Sequence, residues 1–115
     1  MKGLYLDDIA IGCEETLGSH HFTREAVLKF ARKYDPQPFH LDDAAAARSH
    51  FGALCASGWH TAALFMGLFV RTILLDAASM GSPGVEELRW TAPVRPGDRL
   101  TGRVTVTAVE PSSKR

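Results

Sequence analysis

The most chemically suggestive stretch of the chain is Tyr-Asp-Pro-Gln-Pro-Phe-His, residues 34–40. Asp35 and His40 lie five positions apart, a spacing that places two side chains on different faces of either a helix or a strand. Pro36 and Pro38 each fix their own φ angle and disfavour helical backbone at the residue before them. We therefore predict that Asp35 through Pro38 form a stiff, kinked loop, the one geometry that aims the carboxylate and the imidazole at one point.

A carboxylate beside an imidazole is suited to general acid–base catalysis. The alternative is a helix-terminating turn in which Asp35 caps backbone amides and His40 only packs. The other histidines are interpreted as structural or incidental, and they are His20, His21, His50 and His60. They show neither H-x-x-H nor H-E-x-x-H spacing, so no metal site is expected.

Length and charge narrow the classes of function. At 115 residues the chain is predicted to be a single domain, residues 1–115. The 13 basic and 13 acidic residues give a formal net charge of zero, which does not favour binding to nucleic acid or to an anionic membrane. Cys13 and Cys55 lack metal-binding spacing and no signal-peptide pattern is recognised, so we expect buried, reduced thiols in a cytoplasmic protein.

The elements that position the Asp–His segment are predicted from periodicity and capping residues. Glu14 to Phe22 alternates as a strand, and Thr23 then caps a helix that ends just before Asp35. Asp42 or Asp43 is expected to cap a short second helix from Ala44 to Ser49.

A long apolar stretch runs from Trp59 to Met80. It approaches the length that spans a bilayer, but His60, Arg71 and Asp76 within it argue against a membrane segment. We interpret it as a helix buried on nearly all sides, beginning at Ser57 or Gly58.

The remainder of the chain has β character. A turn at Gly81–Gly84, a strand at Val85–Ala92, a turn at residues 93–98 and a strand at Arg99–Val109 are predicted in that order. The fold class is therefore α+β, with an antiparallel sheet against a long helix. Three strands are too few to wrap that helix. We expect the missing strands to come from a separate fragment, a partner chain or a continuation, and to pair beside Arg99–Val109.

Three motifs together resemble one known family. They are Y-D-P-Q-P-F-H-L-D, A-S-G-W-H-T-A-A-L and L-R-W-T-A-P-V-R-P-G-D, and the similarity runs from about Phe22 to the end of the chain. They resemble the MaoC-like dehydratases, the (R)-specific enoyl-CoA hydratases of hot-dog fold. The resemblance implies a sheet wrapped around a central helix and an enzyme of acyl-CoA and fatty acid metabolism.

The resemblance also implies roles for individual residues. Asp35 and His40 correspond to the family's catalytic dyad, and the backbone N–H of Gly58 corresponds to its oxyanion hole. A helix N-terminus suits that role physically, because its unpaired N–H groups favour negative charge. Two positions depart from the family pattern: Gln37 replaces the usual Asn, and Met66 stands where some members carry a Ser that assists the Asp.

Substrate contacts are assigned to Ser57, Trp59, Phe65 and Arg89. Trp59 and Phe65 are alternatively core residues, and Arg89 is alternatively a solvated charge rather than a partner for a CoA phosphate. The substrate is expected to be a thioester of CoA or of an acyl carrier protein, with no cofactor, and the open sheet edge predicts a homodimer or higher oligomer. The alternative functions are an acyl-CoA thioesterase and a non-catalytic acyl-thioester-binding subunit.

Overall fold

The described residues form four helices and one two-stranded sheet, and only the last of these helices packs against the sheet. The computed structural model describes residues 11–74 and 84–108. The elements in chain order are β1 (Glu14–His21), α1 (Arg24–Tyr34), α2 (Pro38–Leu41), α3 (Asp43–Arg48), α4 (Gly58–Thr72) and β2 (Arg99–Thr105). α4 packs against both strands, so the described part of the chain has the predicted α+β arrangement of helix against antiparallel sheet.

The sheet is an antiparallel pair in which Glu14 lies opposite Thr105 and His21 lies opposite Arg99. The register shifts between Thr16 and Gly18, which makes Leu17 the additional residue of a β-bulge. Leu17 is buried, so the bulge directs an apolar side chain towards the core.

α1 forms where the sequence predicted it. The Thr23 side chain accepts a hydrogen bond from the Ala26 N–H at 3.1 Å, which satisfies one of the unpaired donors at the helix N-terminus. The helix ends at Tyr34, because Pro36 disfavours helical backbone at Asp35. Its buried face presents Val27 and Ala31 to the interior.

The loop around the Asp–His pair is more regular than expected. A helical turn, α2, begins at Pro38 and contains His40, whereas the sequence predicted non-helical backbone through Pro38. Proline suits the first position of a helix, because its φ angle is already helical and its missing N–H would be unpaired there. The second proline therefore begins a helix, and only the first breaks one.

α3 confirms the second capped helix. The Asp42 side chain accepts a hydrogen bond from the Ala45 N–H at 2.8 Å, and the helix runs from Asp43 to Arg48. Arg24 on α1 forms a two-pronged ion pair with Asp43, so α1 and α3 are also joined at the surface.

α4 begins at Gly58 as predicted but is shorter and more exposed than expected. It ends at Thr72, whose hydroxyl donates to the Leu17 carbonyl at 3.0 Å; residues 75–80 of the predicted helix lie outside the described residues. The prediction of burial on nearly all sides is wrong for the described helix, since Trp59, Phe65 and Met66 are exposed. The strands β1 and β2 cover only one side of α4. No described helix has the length and apolar character needed to cross a membrane.

The segment before β2 differs most from expectation. Residues 85–92 form no strand, because a strand needs a paired neighbour and no described strand lies beside them. Turn structure at Pro96–Gly97 is confirmed, and β2 follows from Arg99 to Thr105. Residues 81–83 of the predicted turn and Val109 of the predicted strand lie outside the described residues.

The interior forms where β1 ends and α4 begins. Phe22, Val27 and Ala56 are buried together, and Leu64, Val94 and Leu100 pack against them. Backbone hydrogen bonds join this cluster to the turn before β2, residues 93–98. The Phe22 N–H donates to the Asp98 carbonyl, and the Ala56 N–H donates to the Val94 carbonyl, both at 2.8 Å. The cluster thus fixes the backbone just before α4.

Candidate active site

Asp35 is positioned by the end of α1. Its N–H donates to the Ala31 carbonyl at 2.9 Å, and its own carbonyl accepts from the Gln37 N–H at 2.8 Å. Its backbone, with φ −151° and ψ 67°, has left the helical region. The carboxylate is therefore held beyond the last turn of the helix, as the position of Pro36 predicted.

His40 is held in one orientation by the segment that leads into α4. Its ring is buried, and Nδ1 lies 2.7 Å from the Cys55 carbonyl oxygen. A carbonyl oxygen can only accept, so Nδ1 carries a proton and donates it there. Nε2 is then the ring nitrogen that can exchange a proton with substrate or with Asp35, and it lies 3.3 Å from Asp35 Oδ2. The structure thus brings together the two side chains that the sequence paired.

Both oxygens of the Asp35 carboxylate accept hydrogen bonds. Gln37 Nε2 donates to Oδ1 at 2.6 Å, and Ser57 Oγ donates to Oδ2 at 2.7 Å. Partial burial by itself raises the pKa of this carboxyl, but the hydrogen bonds from Gln37 and Ser57 and the charge of His40 outweigh burial and lower the pKa below its ordinary value. Asp35 is consequently an ionised acceptor at neutral pH.

Gly58 is the first residue of α4 and lies under an aromatic ring. The indole of Trp90 is so close that a Cβ atom at Gly58 would lie 2.5 Å from its Cε2 atom. Trp59 and Trp90 meet edge to face with their ring centroids 5.6 Å apart. A side chain at position 58 would therefore displace Trp90, which accounts for glycine at this helix start.

A cavity of about 570 Å³ connects these groups. Five of the seven residues assigned to the site from the sequence line it, and they are Asp35, His40, Gly58, Trp59 and Arg89. Arg89 is exposed and forms an ion pair with Glu87 at 2.5 Å. Apolar side chains make up much of the remaining wall, among them Phe39, Phe51, Trp90, Val94 and Leu100.

The other two residues assigned from the sequence, Phe65 and Ser57, do not line this cavity. Phe65 lines a second cavity of about 100 Å³ between α4 and the sheet, which shares Thr61 and Leu100 with the first. Ser57 is fully buried and is not part of either lining. The expected contact between Ser57 and substrate is wrong in this geometry, because its hydroxyl is already bonded to Asp35 and to the Trp59 N–H.

Sequence reasoning missed two contributors to the site and gave a third, Ser57, a different role. The Cys55 carbonyl orients His40, the Ser57 hydroxyl binds Asp35, and the Trp90 ring covers Gly58. Only Ser57 had a usable signal, as a capping residue just before the predicted helix. Within residues 11–74 and 84–108, no group of three or more His, Cys, Asp or Glu side chains is arranged to hold a metal ion.

Comparison with known proteins identifies the family. Residues 14–115 match the MaoC like domain. A 3-hydroxybutyryl-CoA dehydratase of Methylorubrum extorquens is 30% identical, over 100% of this chain and 71% of that protein.

Solved structures of similar proteins point to the same family. The MaoC-like dehydratase from Rhodospirillum rubrum is 43% identical with a TM-score of 0.83, over 98% of this chain and 77% of that one. The (R)-hydratase from A. caviae involved in PHA biosynthesis is 33% identical with a TM-score of 0.68, over 87% of this chain and 74% of that one. These matches confirm the hot-dog fold expected from the sequence motifs, and the chain belongs to the MaoC-like family.

Proposed function

We propose that this chain catalyses the reversible hydration of a trans-2-enoyl thioester, which in reverse is the dehydration of an (R)-3-hydroxyacyl-CoA. The observation that carries the proposal is the 3.3 Å approach of His40 Nε2 to Asp35 Oδ2 at the wall of a cavity that Gly58 also lines. Hydration needs a base for water, an acid for Cα and donors for the enolate oxygen, and these three groups supply that set.

In the proposed mechanism, Asp35 and His40 carry out both proton transfers and return to their starting protonation states after one turnover. Asp35 begins as a carboxylate, and His40 begins with a proton on each ring nitrogen. A water molecule gives a proton to Asp35 as its oxygen bonds to Cβ, and the electron pair of the double bond moves towards the thioester oxygen. Cα of the enolate then takes the proton from His40 Nε2. The proton on Asp35 passes to Nε2 across the 3.3 Å contact, which restores both groups.

The start of α4 is the proposed site for the enolate oxygen. Gly58 is the first helical residue, so its N–H has no acceptor within the helix, and the helix dipole favours negative charge at this end. Because Asp35 and His40 are adjacent, the hydroxyl group and the new hydrogen would reach the substrate from the same face. Syn addition is the stereochemical consequence of the proposal.

The names of relatives favour hydration over the alternatives. One relative is a 3-hydroxybutyryl-CoA dehydratase and another is an (R)-hydratase. A thioesterase would instead direct water at the thioester carbonyl, and an acyl-thioester-binding subunit would bind without turnover. We propose that the thioester is the substrate and that the reaction uses no cofactor; CoA and acyl carrier protein are both suitable carriers.

Crotonyl-CoA separates these functions in one incubation. The purified protein is expected to remove the enoyl absorbance and to form 3-hydroxybutyryl-CoA without releasing free CoA. Release of free thiol would indicate a thioesterase. Tight binding without loss of enoyl absorbance would indicate a binding subunit, and either result would overturn the proposed hydration.

A further inference from the structure

Ser57 lies at the junction between the catalytic carboxylate and the helix that begins at Gly58. It is fully buried, and its side chain makes two polar contacts. Ser57 Oγ donates to Asp35 Oδ2 at 2.7 Å and accepts from the Trp59 N–H at 3.2 Å. A fully buried hydroxyl with both contacts inside the protein is not available to substrate, which leaves a role that acts through Asp35.

The direction of these hydrogen bonds is fixed by their partners. A serine hydroxyl has one proton to donate, and the Trp59 N–H can only donate. The hydroxyl proton therefore points to Asp35, and the oxygen of the same hydroxyl caps α4. A hydrogen bond donated to a carboxylate stabilises its charged form and holds it in one rotamer.

We propose that Ser57 is a positioning residue for the reaction, which locks the Asp35 carboxylate to the first turn of α4 and keeps it ionised. This inference rests on the proposed hydratase function. Met66, which corresponds to the family position of an assisting serine, is about half exposed and lines neither cavity. Its thioether has no proton to donate.

Substitutions at Ser57 separate positioning of Asp35 from simple helix capping. Ser57→Ala and Ser57→Gly both remove the two side-chain contacts, but glycine is a far better N-cap residue than alanine, so Ser57→Gly loses the donor to Asp35 at little cost to the helix. Ser57→Thr keeps a hydroxyl for both contacts and tests rescue. Met66→Ala is the control, because Met66 lines neither of the two cavities.

We expect kcat/KM for crotonyl-CoA hydration to fall at least about tenfold in both Ser57→Ala and Ser57→Gly, the loss of one hydrogen bond to a charged group. The acidic limb of the pH profile should move to higher pH in both variants. Ser57→Thr should recover most of the rate, and Met66→Ala should match the unmodified protein. A Ser57→Gly variant with the original rate and pH profile would show that the hydroxyl only caps the helix and would overturn the proposal.

A second measurement does not depend on turnover. The pH titration of the Asp35 side-chain carboxyl carbon, followed by ¹³C NMR, should move to higher pH in Ser57→Ala. An unchanged titration would overturn the positioning role whatever the hydratase assay shows. A shifted titration in a protein that does not hydrate crotonyl-CoA would instead support the positioning role and reject the proposed function.

Discussion

At the scale of single residues, the geometry of the site depends on a backbone carbonyl and on the absence of a side chain at one glycine. The Cys55 carbonyl fixes the His40 ring through a 2.7 Å hydrogen bond, and the missing side chain of Gly58 leaves room for Trp90. Burial raises the pKa of the Cys55 thiol, so this cysteine is a weak nucleophile. It contacts His40 through its carbonyl oxygen and through Sγ, which lies 3.6 Å from Nδ1.

Gly58→Ala tests the close approach at the helix start. The new Cβ atom would lie 2.5 Å from the Trp90 ring, so we expect Trp90 to be displaced and crotonyl-CoA hydration to fall about tenfold or more. Helical content by circular dichroism should be retained, because alanine favours helix over glycine. The double variant Gly58→Ala/Trp90→Ala relieves the clash and should recover part of the rate; no recovery would show that the clash is not the cause.

At the scale of elements, Arg95 joins the turn before β2 to the segment before α4. Its guanidinium donates to the carbonyls of Phe51 and Ala53, each at 2.6 Å, and lies 3.5 Å from that of Leu54. Arg95 therefore holds the backbone that leads to Cys55 and hence to His40.

Removal of the Arg95 guanidinium should destabilise this region. We expect Arg95→Ala to lower the free energy of unfolding by about 1.5–3 kcal/mol, measured by urea denaturation. Arg95→Lys should recover only part of this, because an ammonium lacks the planar fork of donors. Arg103→Ala, at an exposed position on β2, is the control and should change stability little. Equal losses at both positions would contradict the role of Arg95.

The elements predicted correctly are those with local signals. Thr23 and Asp42 cap their helices, and α4 begins at Gly58, because capping depends on neighbours within a few residues. The strand predicted at residues 85–92 failed because strand formation depends on a partner elsewhere in the chain or beyond it. The contact between Ser57 and Asp35 spans 22 positions, so no local pattern predicts it, whereas the D-x-x-P-x-H motif pointed to the Asp35–His40 pair through family resemblance.

At the scale of the whole molecule, burial of one histidine links stability to pH. His60 is buried between the rings of Phe22 and Phe30, with centroids 4.9 Å and 4.8 Å away. Its Nδ1 atom has no hydrogen-bond partner among the described residues. Burial, with a smaller contribution from the nearby His20, lowers the pKa of His60. The folded state therefore binds a proton at this residue less readily than the unfolded state does.

Stability should consequently decrease as pH falls. Above about pH 6.5, the ordinary pKa of histidine, both states leave His60 neutral and its contribution is constant. Below that pH only the unfolded state takes up the proton, so the free energy of unfolding falls. Urea denaturation between pH 7.5 and 5 should show this decline, and His60→Gln should reduce it. The exposed His50→Gln control should retain the decline; a pH dependence equal in all three proteins would contradict the assignment.

The exposed face of α4 also belongs to this scale. Trp59, Phe65 and Met66 are exposed, which fits the expectation of a homodimer or higher oligomer. That assembly stays a prediction, as does the cytoplasmic location. Light scattering at micromolar protein concentration is the measurement that checks the assembly.

The rate of crotonyl-CoA hydration in Asp35→Asn and His40→Gln tests the central claim most directly. His40 is buried and Asp35 is partly buried, so each variant must first show an unchanged circular dichroism spectrum. Asp43→Asn, at an exposed carboxylate, is the control. With the fold intact, we expect each dyad variant to lose at least about 100-fold in kcat while the control retains its rate. Near-normal hydration by either dyad variant would contradict the proposed mechanism.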